Sequence, residues 1–152
     1  MKKIYLAGFD VFARDAVKRG EQMKNLCINY GFEGLYPLDN AFDSAKEIFE
    51  ANIGLIKKCD IIAANVNPFR GCEPDSGTAF EIGAAYALGK KIYCYADDVR
   101  SMRCKFGDED SSGYITEDFD MPFNLMICVP SVIVRGSFED CIKRIAADIS
   151  SK

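Results

Sequence analysis

Histidine is missing from all 152 residues, and its absence removes every Ser–His or Cys–His nucleophile–base pair and every imidazole-ligated metal. Nucleophilic and acid–base work then falls to carboxylates. A disulfide scaffold is also excluded: the seven cysteines are odd in number, scattered and without a C-x-x-C pair, so neither a cystine framework nor a zinc site is expected. Most of them lie in apolar runs and read as small hydrophobes. Cys72, in a polar loop, is expected to be inert, because a thiol reacts only where its surroundings favour the thiolate. No apolar run is long enough to cross a bilayer. The opening Met1-Lys2-Lys3-Ile4-Tyr5 lacks the shape of a signal peptide, which makes a cytoplasmic protein the expectation. Positive charge is in deficit, with 19 Lys and Arg against 23 Asp and Glu and a net charge of −4. That balance argues against a nucleic-acid polymer as partner and for a small molecule.

What is present is a core. Hydrophobic residues make up 49% of the chain, and residues 1–152 read as one domain, without repeats, linkers or low-complexity tracts. Residues 3–7 form a first buried strand and 8–12 the turn that leaves it. An amphipathic helix follows over 15–30, stopped by Gly31. Residues 34–37 read as a short second strand and 43–57 as a second helix, with Ile48, Ile53 and Ile56 on its inner face. Residues 60–66 read as a strand with an unbroken apolar run at 61–64, as expected for a strand covered on both faces of a parallel sheet. A helix through Leu88, a fourth strand at 91–96, a fifth at 126–134 interrupted by Pro130, and a last helix capped by Ser137 complete the series. Strands alternating with helices predict an α/β, doubly wound, flavodoxin- or Rossmann-like fold with five parallel strands in the order 2-1-3-4-5. The charged stretch 97–123 has no clear period and reads either as a solvated excursion or as a lid.

The chain is organised around residues 68–89. A loop with Pro68, Gly71, Pro74 and Gly77 gives way at Asp75 to a helix that is apolar on nearly every side and carries Glu81. Burying that carboxylate costs several kcal/mol unless a partner holds it, so roughly the scale of a buried ion must be offset. Two readings stand. Thr78-Ala79-Phe80-Glu81 fits a capping box, with Asp75 a simple N-cap. Alternatively, Asp75 and Glu81, with Gly77 and Gly83 removing bulk around them, place two carboxylates at one loop–helix junction, as chemistry on glycosidic bonds requires. In the order 2-1-3-4-5 the crevice between strands one and three brings residues 8–12 to the same junction.

These residues resemble a family. Ile4-Tyr5-Leu6-Ala7-Gly8, Pro37-Leu38-Asp39-Asn40, Pro68-Phe69-Arg70-Gly71, Glu73-Pro74-Asp75-Ser76-Gly77-Thr78-Ala79-Phe80-Glu81-Ile82-Gly83 and Pro122-Phe123-Asn124-Leu125-Met126 are similar, in order and spacing, to the nucleoside 2-deoxyribosyltransferases. The resemblance implies that Glu81 is a nucleophile attacking C1′ of a 2′-deoxynucleoside, forming a covalent ester that a second base resolves with retention. It implies further that Asp75 helps the leaving base gain a proton and that Tyr5 hydrogen-bonds the nucleophile, although a strand tyrosine is also an ordinary core residue. Gly8, Phe12, Asn52, Pro68, Phe69 and Gly77 are implied to line the substrate site, with Asn52 where one branch of the family has a sugar-contacting aspartate. Asn124 and Met126 are implied to reach a neighbouring subunit's pocket at the sugar's 5′ end, which makes a homo-oligomer with a shared site the expectation. Asn124 also reads as an ordinary turn residue. Phe9 stands at a turn where the family usually has Ala-Gly-Pro. Arg70 is expected to pair with Glu73. The implied partners are 2′-deoxynucleosides and free nucleobases, in base exchange that serves nucleotide salvage, with no cofactor and no metal. A 5′-phosphate N-hydrolase and a non-catalytic nucleotide-binding module are the alternatives.

Overall fold

Ile61, Ile62, Ala63, Ala64 and Asn65 are all buried, because β3 (Ile61–Asn65) has a strand on each side and helices over both faces. In the computed structural model, which describes residues 1–39 and 42–151, β1 (Lys2–Ala7), β2 (Phe32–Leu35), β4 (Lys91–Ala96) and β5 (Val132–Arg135) join it. The order is β2-β1-β3-β4-β5 and every pairing is parallel. The predicted fold class and strand order are therefore the observed ones. Asn40 lies outside the described residues.

Two cores flank the sheet. Tyr5, Ala7, Ile62, Ala64, Ile92 and Cys94 point towards α2 (Ala45–Lys58) and α3 (Ser76–Ala87). Their alternates Ile4, Leu6, Ile61, Ala63, Tyr93 and Tyr95 point towards α1 (Ala16–Asn29) and α6 (Phe138–Ser150). This period-two alternation decides which side of the sheet Tyr5 addresses. Met23 and Cys27 of α1 and Ile142 and Ile145 of α6, at helical spacing, close the second core. Gly20 is required in α1 because a Cβ there would sit 2.4 Å from the Tyr36 ring.

Two expectations are corrected, both on strand bounds, and the stretch 97–123 shows partial order. The fifth strand is Val132–Arg135, while residues 126–128, expected within it, belong to a short helix, α5 (Leu125–Cys128). Asn124 starts that helix by accepting the Met126 N–H at 2.9 Å, and Pro130, which has no N–H to give a ladder, follows it. The second strand begins at Phe32 rather than Gly34. The stretch 97–123 is partly regular, with α4 at Met102–Phe106 and a bridge from Glu109 to Ile115.

Candidate active site

At the carboxyl ends of β1 and β3 a cavity of about 310 Å³ is lined by Gly8, Val11, Phe12, Pro37, Leu38, Ile48, Asn52, Asp75, Gly77, Thr78 and Glu81. Strand β1 delivers Tyr5, which is fully buried, and its Oη donates to Glu81 Oε1 at 2.6 Å across 76 residues of sequence. Glu81 thus faces the sheet, one and a half turns into α3, and does not cap it. The cap is Asp75, whose Oδ2 accepts Thr78 N–H at 2.9 Å and Thr78 Oγ1–H at 3.0 Å. Both tasks of the acidic pair are compatible, because Asp75 keeps Oδ1 and Glu81 keeps Oε2 clear of these contacts.

Burial pushes Glu81 up to about 7 from its ordinary 4.5; the Tyr5 hydroxyl opposes the rise, and the charge of Asp75 adds to it. Tyr5 is driven far above the ordinary phenol range, first by burial and then by the Glu81 charge. The proton between them therefore belongs to the tyrosine, and Glu81 is the group that titrates near neutrality.

The turn Phe9–Phe12 is set by polar contacts beneath it. Gly8 has φ 152°, and a Cβ there would lie 2.7 Å from Asn65 Cβ, so the chain crosses β3 closely only with glycine. Asp10 then accepts from Asn65 Nδ2 at 2.9 Å and from Arg19 at 3.0 Å. Asn65 Oδ1 in turn accepts Asn67 Nδ2–H at 2.9 Å, and Asn67 Oδ1 accepts the Asp97 N–H at 3.0 Å. This series ties the ends of β1, β3 and β4 together. Asn52, on α2, has a buried Oδ1 without a hydrogen-bond partner among the described residues.

Of the residues expected at the site, Gly8, Phe12, Asn52, Asp75, Gly77 and Glu81 line the cavity and Tyr5 holds its nucleophile candidate. Gly77 does give Asp75 room, since a Cβ there would lie 3.1 Å from Oδ2. Gly83 does not serve the carboxylates: a Cβ there meets nothing within 4 Å. Pro68 and Phe69 stand outside the cavity. Phe69 stacks on Phe9 at 5.0 Å and on Phe12 at 5.3 Å, supporting the wall from behind. Arg70 does not pair with Glu73 among the described residues; its guanidinium lies over Phe69 at 4.7 Å and Phe12 at 5.2 Å, on a left-handed backbone with φ 53°. Asn124 and Met126 are also outside the cavity. Val11 and Thr78 fall in the stretches expected at this crevice, whereas Pro37, Leu38 and Ile48 were not named as site residues; Ile48 is in phase with Asn52 at i, i+4 and marks the same helix face.

Fold and site together define a class: an α/β protein whose carboxylate pair, held at the carboxyl edge of a parallel sheet, suits work on glycosidic bonds. Comparison narrows the class. The family described as Nucleoside 2-deoxyribosyltransferase matches residues 4–126, and the chain belongs to that family of pentosyl-transferring enzymes. A 2-desoxiribosyltransferase from Leishmania mexicana is 38% identical, with a TM-score of 0.89 over 97% of this chain and 98% of that one. An uncharacterized protein of Schizosaccharomyces pombe is 30% identical over 107 residues, 64% of this chain and 51% of its own length, so the chain spans about half of that relative. A CMP N-glycosidase from Clostridium botulinum shares the fold, with 21% identity and a TM-score of 0.56 over 97% of this chain and 99% of that one. No helix among the described residues is long and apolar enough to cross a membrane.

Proposed function

We propose that this protein exchanges the base of 2′-deoxynucleosides by double displacement through a covalent ester on Glu81. The observation that carries the reading is the 2.6 Å hydrogen bond from Tyr5 to a carboxylate that burial holds near neutrality in a nucleoside-sized cavity. Ionised Glu81 Oε2 attacks C1′; the bond from C1′ to the base nitrogen breaks, and the electron pair leaves on the base. The proton that Glu81 gives up on ionising passes to Asp75, which hands it to that base through Oδ1, with Oδ2 fixed by Thr78. In the second half, the acceptor base attacks C1′ from the vacated face, the ester bond breaks, Glu81 recovers its carboxylate, and Asp75 takes the proton back. Two inversions give net retention. Lack of a 2′-hydroxyl eases positive charge at C1′, which favours deoxyribosides.

The part of the cavity that this chain lines offers two acids and no Lys or Arg, an electrostatic setting that favours an uncharged nucleoside over a nucleotide. Asn124 and Met126 complete the site from a second protomer. Met126, Tyr86 and Val129 are 73%, 66% and 68% exposed and border an apolar cavity of about 210 Å³ with Gly83, Leu125 and Pro130, the surface of a chain that associates with a copy of itself. The test incubates the protein with 2′-deoxyinosine, with and without adenine, and follows products by chromatography. Formation of 2′-deoxyadenosine is expected; hypoxanthine release without exchange would identify an N-hydrolase instead, and no turnover a binding module.

A further inference from the structure

Asn124 stands at the start of α5 with its amide held from two sides. Its Oδ1 accepts the Met126 N–H at 2.9 Å, and its Nδ2 donates to Glu117 Oε1. Glu117 Oε2 accepts the Leu125 N–H at 3.0 Å. A backbone N–H can only donate and a carboxylate only accept, so both neighbours demand the same orientation of the amide. The stretch carrying Glu117 is anchored as well. Phe123 is buried in the core beside α3, Lys105 Nζ donates to Pro122 O, and the N–H of buried Thr116 reaches Asp108 O at 2.9 Å. Arg103 bridges Asp108 and Asp118 at 3.2 and 3.3 Å.

We propose that Glu117 is a positioning residue for the shared site: it locks the amide of Asn124 and so fixes what that side chain presents to the 5′-hydroxyl of a nucleoside in the neighbouring protomer. This rests on the reading of Asn124 given above. With Nδ2 turned to Glu117, the Asn124 oxygen keeps a second lone pair for the hydroxyl proton. Two acceptor oxygens are needed at position 117. A glutamine offers one acceptor and one NH₂ and cannot receive both Asn124 Nδ2–H and Leu125 N–H, so even this isostere loosens the amide. The excursion 97–123 thereby acquires a task at the site, although it contributes nothing to the cavity of its own protomer.

The test measures binding rather than turnover, in a Glu81→Gln background, by calorimetry with 2′-deoxyinosine and 2′,5′-dideoxyinosine. The parent should prefer the ligand with the 5′-hydroxyl by about tenfold, the scale of one hydrogen bond. Adding Asn124→Ala or Glu117→Gln should each remove most of that preference while leaving dideoxyinosine affinity unchanged. Because the preference compares two ligands on one protein, loss of folded material cancels, and Glu117→Ala supplies a second removal if the glutamine variant does not fold. If Asn124→Ala abolishes the preference and neither change at 117 alters it, the role of Glu117 falls while the reading of Asn124 stands. If Asn124→Ala leaves the preference intact, both fall together. Equal weakening of the two ligands at position 117 would show a merely structural residue and also overturn the proposal.

Discussion

Helices α3 and α6 begin with the same local pattern, a hydroxyl residue followed three positions later by an acid, and they use it in opposite ways. In α6 the pattern closes on itself: Ser137 Oγ accepts the Asp140 N–H at 3.3 Å, and Asp140 Oδ2 accepts the Ser137 N–H at 2.8 Å. In α3 the cap is supplied by Asp75, and Glu81 turns away to Tyr5. The acids titrate accordingly. The Ser137 hydroxyl and its N–H hold Asp140 below the usual carboxylate range, whereas burial lifts Glu81 to about 7. A four-residue motif marks where a helix starts; what its acid does is decided by the residue a strand away.

Four substitutions can break or sharpen this contrast. The largest effect is expected from Glu81→Gln, which should reduce exchange by roughly 10⁴-fold or more, since an amide cannot form the ester. The same variant should be the more stable protein at alkaline pH. The fold favours protonated Glu81, a contribution present below 4.5 and lost as pH rises through about 7, so thermal melts at pH 8 should favour the glutamine protein by up to about 3 kcal/mol. An unchanged exchange rate would leave Glu81 as no more than a buried structural partner of Tyr5. Next is Asp75→Asn, for which a loss of about 10²–10⁴-fold is expected, greatest for bases that leave poorly without a proton. Full activity on natural nucleosides would leave Asp75 as a helix cap only. Tyr5→Phe comes third. Because the hydroxyl lowers Glu81, its removal should shift the rising limb of kcat/KM from near pH 7 to higher pH, costing about tenfold at neutrality and recovering in base. A limb that stays in place would sever the tyrosine from the nucleophile. The smallest effect belongs to α6: Ser137→Ala should cost about 1 kcal/mol of stability, read in a melt, with exchange unaltered at moderate temperature.

The order of the strands was legible because 61–64 is apolar without interruption and because helical and strand periods alternate along the chain. The acidic pair was legible too, as two carboxylates around Gly77, but only the fold separates the cap from the carboxylate aimed at the sheet. The run 126–134 misled because it is apolar without a period; its first part coils into α5 under the Asn124 cap. Arg70 misled for a different reason. Glu73 is its neighbour in sequence, whereas the rings of Phe12 and Phe69 that receive its guanidinium come together only when the β1 and β3 loops converge. Glu117 gave no signal, since its partners are an amide and a backbone N–H that no pattern of charges reveals.

The hydrogen bond between Tyr5 and Glu81 also sets a timetable. Tyr5 lies near the start of the chain and its partner 76 residues later, a delay of roughly 4–15 s at ordinary rates of synthesis. During that interval β1, destined for the interior of the sheet between β2 and β3, gains both neighbouring strands, and still the phenol has no acceptor of its own. No N-terminal fragment ending before α3 can assemble the site. Catalytic activity in a nascent or refolding sample would therefore appear late, as a report that both sides of the sheet have closed around its centre.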